Sequence, residues 1–566
     1  MRKIICLILS CLFALSLAEG GEVKRIQEEK VIATIQPAEI LRWKLDTFTI
    51  SPDGKHFAVI GSGPNKQFVN YDGKRGEAYD SVSQPIFSPN SSRLFYIARI
   101  GEKNFLVVDG EEGKKYDSVI NLTLSPDGEH YAYVAQLGDK MVVVIDGEEG
   151  KRYDDITKGS LIFSPDSKHY SYIAGAEGKR FVVLDGKEGK LYDSIKKGSL
   201  LFSPNGKRFA YIAKADGKWR CVIDGNEEEE FDEISELAFS PNSEHIAYVG
   251  RKEGKAFLVL DGQKSRSYDA ISAVKFSGNG KHIAFLAKYG DKQMVVLDGK
   301  EGKAYDLIWK EHFALSPDGE HLVYSAKRGD ERYIVVDGKE IGPYEAVGLP
   351  LFSPDGSRIA YLIQKGDKFA YVVDGKEEKL YEAVGKSYFT PSGKHFIYSV
   401  KLGNKCTYVI DGKEGKQYDG LSYPVFSPKG ERIAYIGWIG DKLFLIVDGN
   451  EWAQYDKASI NSQQLTFTPD GKHIIYPLES KFFFFNISDL IIYVDKIKGK
   501  QYTIYMTRGK DKNIVRTSQL VIDSPKEFHY LACSLSNSKA MQNMYGEYIS
   551  VGQPTTFYLV TERLSE

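Results

Sequence analysis

Residues 125–156 read SPDGEHYAYVAQLGDKMVVVIDGEEGKRYDDI, and the reading of this stretch decides the fold. Leu122 and Leu124 lead into Ser125-Pro126-Asp127-Gly128, with Pro and Gly where a type I turn favours them. His130–Ala135 then reads as a strand, Gly138-Asp139 as a hairpin turn, and Met141–Ile145 as a second run rich in β-branched residues. Asp146-Gly147 opens a further turn, and Tyr153–Ile156 is expected as a short fourth strand. Short strands, tight turns and no helical periodicity predict one four-stranded antiparallel sheet. The Val-rich run predicts burial on both faces, as in sheets stacked on neighbours.

The phrase recurs down the chain. Its first residue falls at Ser51, Ser88, Ser125, Ser164, Ser203, Ser240, Ser277, Ser316, Ser353, Thr390, Ser427 and Thr468, at intervals of 37 to 41 residues. A near-constant period of this size marks a solenoid, a propeller or an array. In the first eleven copies the Asp of an Asp-Gly pair follows 21 residues later, from Asp72 to Asp448. Seven residues beyond each stands an aromatic: Tyr79 in the first copy, Phe231 in the fifth, Tyr455 in the eleventh. A slip of one residue would reverse the facing of a strand, so these spacings are rigid. All length variation lies between the aromatic and the next copy, a gap of 9, 11 or 13 residues, which predicts an extendable loop between sheets.

The ends of the array are ragged. Copy twelve keeps Asp495 and Tyr502 but has six extra residues upstream, around Phe482–Phe485. Ser524-Pro525 with His529-Tyr530 resembles a degenerate thirteenth start. Val31–Ile35 and Ile40–Trp43 resemble the last two strands of a unit, and pairing with strands from the far end of the chain would close a ring.

Phe352–Tyr361, Phe-Ser-Pro-Asp-Gly-Ser-Arg-Ile-Ala-Tyr, followed by a Val-Val-Asp-Gly hairpin, resembles the TolB-like (WD-repeat-like) β-propeller family. The resemblance spans roughly Thr47 to Tyr502. It implies an all-β chain with one four-stranded blade per repeat and an exported propeller used for recognition, and it carries no catalytic residue. The N-terminal α/β domain of TolB itself is not expected, because residues 19–46 are too few for it.

Twelve to thirteen blades exceed the four to eight typical of one ring. Two tandem rings of six or seven blades are therefore expected, residues 47–275 and 276–502, with 503–566 as a degenerate closing blade and C-terminal segment. A single oversized ring or an open superhelix is the alternative, since no Pro/Gly-rich linker marks a seam.

Composition fits this picture and narrows the function. The chain has 566 residues, 42% apolar and 27% charged, which excludes extended disorder and a multi-span membrane protein. Seventy-five basic against 77 acidic residues is too balanced for a dedicated nucleic-acid binder. Arg2-Lys3, the apolar run from Ile4 to Leu17 and Ser16-Leu17-Ala18 follow the plan of a secretory signal peptide, residues 1–18. A lipoprotein signal ending at Cys11 is the rival reading. Removing the leader leaves 73 basic and 77 acidic residues and three cysteines: Cys221, Cys406 and Cys533. These are odd in number and far apart, so neither a disulfide framework nor a CxxC metal site is expected.

Most residues that look chemical belong to the repeat. Nine histidines, His56 among them, stand five residues after the Ser or Thr, and Arg93, Arg208, Arg358 and Arg432 hold that register elsewhere. A position that accepts His or Arg in every blade is architectural, not catalytic or metal-binding. Its expected partner is the Asp three residues earlier, as Asp127 before His130, or a neighbouring Tyr-Asp. Gly385-Lys386-Ser387 lacks the upstream glycine of a phosphate-binding loop, and neither G-x-S-x-G nor H-E-x-x-H occurs.

The departures are His312, out of register in Trp309-Lys310-Glu311-His312, and Trp438, in a hairpin of copy eleven. Trp309, His312 and Trp438 are expected to line one recognition face, since exposed aromatics mark binding surfaces. The leading expectation is an exported, non-enzymatic propeller that recognises a protein, peptide or cell-envelope component, without cofactor, metal or nucleic acid. A lyase or glycosidase-like enzyme at a channel mouth and a structural spacer are the alternatives.

Overall fold

A computed structural model describes residues 42–456 without a break, with residues 25–35 and 465–467. Beyond them it describes strands at 474–475, 492–496, 500–504, 513–516, 521–524, 527–535, 540–542, 548–550 and 555–564. The leader and Phe482–Phe485 lie outside the described residues. Within them, eleven four- or five-stranded antiparallel sheets follow one another along the chain as the blades of a β-propeller.

Blade 3 shows how the repeat builds a sheet. Its strands are Ser118–Leu124 (inner), Tyr131–Leu137 (second), Lys140–Ile145 (third) and Glu148–Tyr153 (outer), adjacent in that order. Leu137 faces Lys140, so Gly138-Asp139 is a two-residue hairpin turn. Asp146 (φ 48°) and Gly147 (φ 89°) both take the positive φ that the next tight turn demands, which is why Asp-Gly recurs at this point. Ser125 closes the first turn: its hydroxyl donates to Asp127 Oδ1 and accepts the His130 N–H.

Hydrogen bonding places the blade boundary inside the run Tyr153–Ile156 that was expected as one strand. Tyr153 pairs with Met141 and ends the outer strand of blade 3, whereas Asp155-Ile156 pairs with Gly175 and Ala174 and opens the inner strand of blade 4. The chain passes between sheets at Asp154, whose N–H already bonds the Gly175 carbonyl.

This phase also corrects the reading of the variable gap. It is the inner strand itself, not a loop between sheets. Both ends of that strand are pinned to the second strand, so extra residues are absorbed in its middle. The shortest gap gives a bulge in blades 3, 6 and 7, with Asn121, Glu236 and Ala273 at φ 53–55°. In blades 2, 9 and 11 the same gap splits the strand in two, and in blade 4 the two extra residues lie between the separate pieces Asp155–Ile156 and Ile162–Phe163. In blade 8 the insertion coils into a short 3-10 turn, Lys310–His312.

The core is a series of sandwiches between consecutive blades. In blade 3, Val142 and Val144 pack with Phe95, Leu106 and Tyr116 of blade 2, while Val143 packs with Tyr172, Phe181 and Val183 of blade 4. The third strand is thus buried on both faces, as the Val-rich run predicts, each such side chain contributing about 1.5–3 kcal/mol. Tyr268 and Leu258 of blade 6 share a core with Ile283 and Phe285 of blade 7, and blade 7 shares another with blade 8. The core therefore runs unbroken through residues 275–276, the expected boundary between two rings.

A further sheet unites the two ends of the chain. Arg25–Ile35 pairs with Thr555–Leu564, which pairs with Glu527–Leu535, which pairs with Asn513–Arg516 and Val521–Ser524. This is the strand order of a blade, with the outer strand supplied from the N-terminal side. Trp43, expected in an end strand, instead opens Trp43–Ile50, the inner strand of blade 1.

Candidate functional site

Three constructions repeat from blade to blade, and the candidate surface stands out against them. The first explains the His/Arg register. His130 Nδ1 lies 2.8 Å from Asp146 Oδ2, and Asp146 Oδ1 accepts the Tyr131 N–H. Arg208, Arg358 and Arg432 bring Nε to the same aspartate in their blades, 2.8–3.0 Å away. The partner is the Asp-Gly aspartate of the same blade, neither of those expected, because the antiparallel third strand returns that turn to the start of the second. Asp127 is engaged by Ser125 instead. The bond to Asp146 holds the His130 pKa above its ordinary value.

The second construction clamps one blade to the next. Asp154, at the crossing, accepts Lys140 Nζ from blade 3 and the Glu177 N–H from a hairpin of blade 4. The hydrogen bond from Lys140 and then that N–H hold its carboxyl below the usual range. Asp80, Asp117, Asp193 and Asp232 repeat this. So do Asp269, Asp306 and Asp419.

The third construction joins outer strands. The Tyr192, Tyr268, Tyr305, Tyr381 and Tyr418 hydroxyls each donate to a glutamate of the following blade: Glu227, Glu301, Glu340, Glu414 and Glu451. A Lys or Arg two residues before each tyrosine pairs with the same glutamate. The carboxylates of the sequence motif are thus spent on architecture. Among the described residues no cluster of His, Cys, Asp and Glu is arranged to hold a metal, and no helix is long and apolar enough to cross a membrane. Cys221 is buried, which pushes its thiol pKa up to about 12, so it stays protonated and inert.

The three residues singled out in the sequence are not brought together. Trp309 and His312 are neighbours in the inner-strand turn of blade 8, their rings 6.0 Å apart. His312 Nδ1 lies 3.0 Å from Ser325 Oγ, and burial lowers its pKa. That pair has the composition of a nucleophile and its base, but Ser325 is 0% exposed, so its hydroxyl cannot meet a substrate. Trp438 ends the second strand of blade 11, with two blades between it and blade 8. It is half-buried, lies over Gly420 where an added Cβ would meet the indole at 2.0 Å, and packs against Leu443, Leu445 and Phe467. Its packing is with its own blade and the next.

One register does vary freely, four residues before the Ser or Thr, in the middle of the inner strand. It holds Gln84, Asn121, Glu236, Ala273, Leu349, Lys386 and Tyr423 in the blades of shortest gap. In blades 9, 10 and 11 these side chains are exposed: Leu349 is 49% accessible, Tyr423 is 68%, and Lys386 carries its ammonium 4.9 Å from the Tyr423 ring centre. Pro350 and Pro424, immediately after, are buried and anchor the projecting residue. The sequence signal was available, as a position free in residue type within a unit of otherwise fixed spacing.

No protein-family model matches the chain, and no curated protein matches it. Solved structures do. One is described as a eukaryotic initiation factor, with 15% identity, 59% of this chain and 98% of the other covered, and a TM-score of 0.29. A second is the Dos1 propeller, with 12% identity, coverage of 57% and 90%, and a TM-score of 0.23. A third is hydrazine synthase of Kuenenia stuttgartiensis, with 13% identity, coverage of 55% and 95%, and a TM-score of 0.18. Scores this low carry no argument about function. The class, an all-β propeller of many blades, rests on the repeated sheets themselves.

Proposed function

We propose that this chain is an exported, non-enzymatic propeller of the TolB-like kind that binds a protein, peptide or cell-envelope component. The observation that carries the reading is the exposed inner-strand register of blades 9–11, where Leu349, Lys386 and Tyr423 project side by side in successive blades from a scaffold held by ladders, clamps and cores. Projecting apolar and aromatic groups on a rigid frame suit recognition, since little conformational freedom is lost on contact. The half-buried Trp309–His312 turn of blade 8 belongs to the same inner-strand level. Export rests on the leader-like residues 1–18, and the TolB-like kinship on the Phe-Ser-Pro-Asp-Gly phrase.

The test is recovery of partners from envelope extract by the mature chain and by a Leu349→Ala/Lys386→Ala/Tyr423→Ala variant. The variant is expected to melt at the same temperature and lose partners at least tenfold. Equal recovery would remove this surface from the proposal. Turnover on a glycan or peptide panel that His312→Ala abolishes would overturn the non-enzymatic reading.

A further inference from the structure

The interface between blades 8 and 9 lacks both the aspartate clamp and the tyrosine–glutamate bond, and opens into a cleft. The crossing residue is Glu345 where the clamp uses Asp, and Glu331 replaces the clamping lysine. Glu377, placed to receive Tyr344, pairs with Lys365 instead. Four residues after the Asp-Gly aspartate the outer strand carries Gly76, Gly150, Gly189, Gly302 and Gly415 in other blades. There an added Cβ would lie 3.5–4.0 Å from the hydroxyl of the next blade's second-strand tyrosine. Blade 8 has Ile341 at that point, and the tyrosine opposite is Tyr361.

The space left is an open cleft of about 460 Å³, lined by Val336, Ile341, Ile359 and Tyr361, with Lys339 and two aspartates at its edge. That volume lies within the range of small-molecule sites. Its hydrogen-bonding groups are unevenly satisfied. Asp337 takes the Leu322 N–H and faces His321, and Asp374 takes the Ile359 N–H and Arg358 Nε. The acceptors are therefore occupied. The donors are less well served: Tyr361 is 1% exposed and its hydroxyl, with Tyr344 alongside, makes no well-formed hydrogen bond. Lys339 is exposed and makes no ion pair among the described residues. Burial, with Tyr344 alongside, drives the Tyr361 pKa far up, so it remains a neutral donor. A buried donor without an acceptor is costly, and an anion that supplies one recovers that cost.

We propose that the cleft between blades 8 and 9 binds a small organic monocarboxylate, its apolar body against Val336, Ile341 and Ile359 and its carboxylate between Tyr361 and Lys339. The site is independent of the inner-strand register, which lies at the opposite edge of each blade.

The test is titration calorimetry on the mature full chain with 3-phenylpropanoate and 4-methylpentanoate, each beside its primary alcohol. Saturable binding of an acid, at least tenfold tighter than its alcohol, is expected. Tyr361→Phe, which keeps the ring, and Lys339→Gln, on the surface, are each expected to weaken the acid about tenfold. Tyr172→Phe, at the same register between blades 3 and 4, is expected to leave binding unchanged. The proposal is overturned if neither acid binds saturably at millimolar concentration, if acid and alcohol bind alike, or if Lys339→Gln and a folded Tyr361→Phe both bind as the parent does.

Discussion

The junctions between blades 5 and 6 and between blades 8 and 9 both depart from the repeat, and they depart from it in different ways. At the first, the exchanged charges answer one another, although the Tyr248 hydroxyl beside Phe231 is left without a partner. Phe231 replaces the tyrosine that donates elsewhere, and Lys264 replaces the glutamate that would accept. Glu229 stands where other blades carry Lys or Arg, and its carboxylate meets Lys264 Nζ at 2.7 Å, an ion pair of inverted sign. Lys252 joins the same carboxylate at 3.0 Å. At the second junction Glu331 takes the Tyr333 hydroxyl, but Glu345 and Ile341 have no counter-change, and a cleft results. A compensated departure preserves packing. An uncompensated one in so regular a chain marks a place where packing is not the only demand.

The largest expected effect sharpens that contrast in the core. Phe231 is fully buried and its truncation to Ala is expected to cost about 3–5 kcal/mol. Tyr344→Ala, at the matching position beside the cleft, is expected to cost less than half as much, because its ring is only half-buried. Chemical denaturation of the two variants checks this, and equal costs would erase the distinction between the junctions.

A charge exchange tests whether the first junction is compensated. Lys264→Glu alone sets two carboxylates against each other, and Glu229→Lys alone sets two ammonium groups together. Each is expected to destabilise, and the double variant to recover most of the loss, a coupling of about 0.5–1 kcal/mol for exposed groups. Additive single effects would show that the inverted pair is incidental.

The smallest effect concerns pH. The raised pKa of His130 means that its bond to Asp146 contributes fully below the unfolded value near 6.5 and is lost as pH rises through the higher folded value. His130→Arg, the residue other blades use, is expected to keep the pair charged and flatten this dependence. The histidine is mostly exposed, so about a few tenths of a kcal/mol are at stake. Melting curves between pH 5 and 9 should separate the two proteins only at the alkaline end.

The sequence was most legible where one residue type answers one local demand. Asp-Gly pairs announced tight turns, and Val-rich runs announced strands buried on both faces. The phase of the blade was not legible, because a tandem repeat has no privileged start. Whether Tyr153 and Ile156 share a sheet depends on hydrogen bonds to Met141 and Ala174, each well away along the chain. The partner of His130 was hidden for the same reason: Asp146 is 16 residues away and arrives only when the hairpin closes. The seat of Trp438 was hidden because an aromatic beside a hairpin says nothing of Gly420 across the sheet. Leu349, Lys386 and Tyr423 share no residue type, so nothing but their common register in the unit links them in the sequence.

The union of the chain's ends has a mechanical consequence. Arg25 pairs with Leu564 and Ile35 with Thr555, so the two terminal sides leave this sheet at the same edge. Tension applied between them would open the strands pair by pair, like a zip, rather than shear all the bonds at once. Such a fastening yields to modest force from its two ends, while force applied across the stacked faces must separate whole apolar surfaces together.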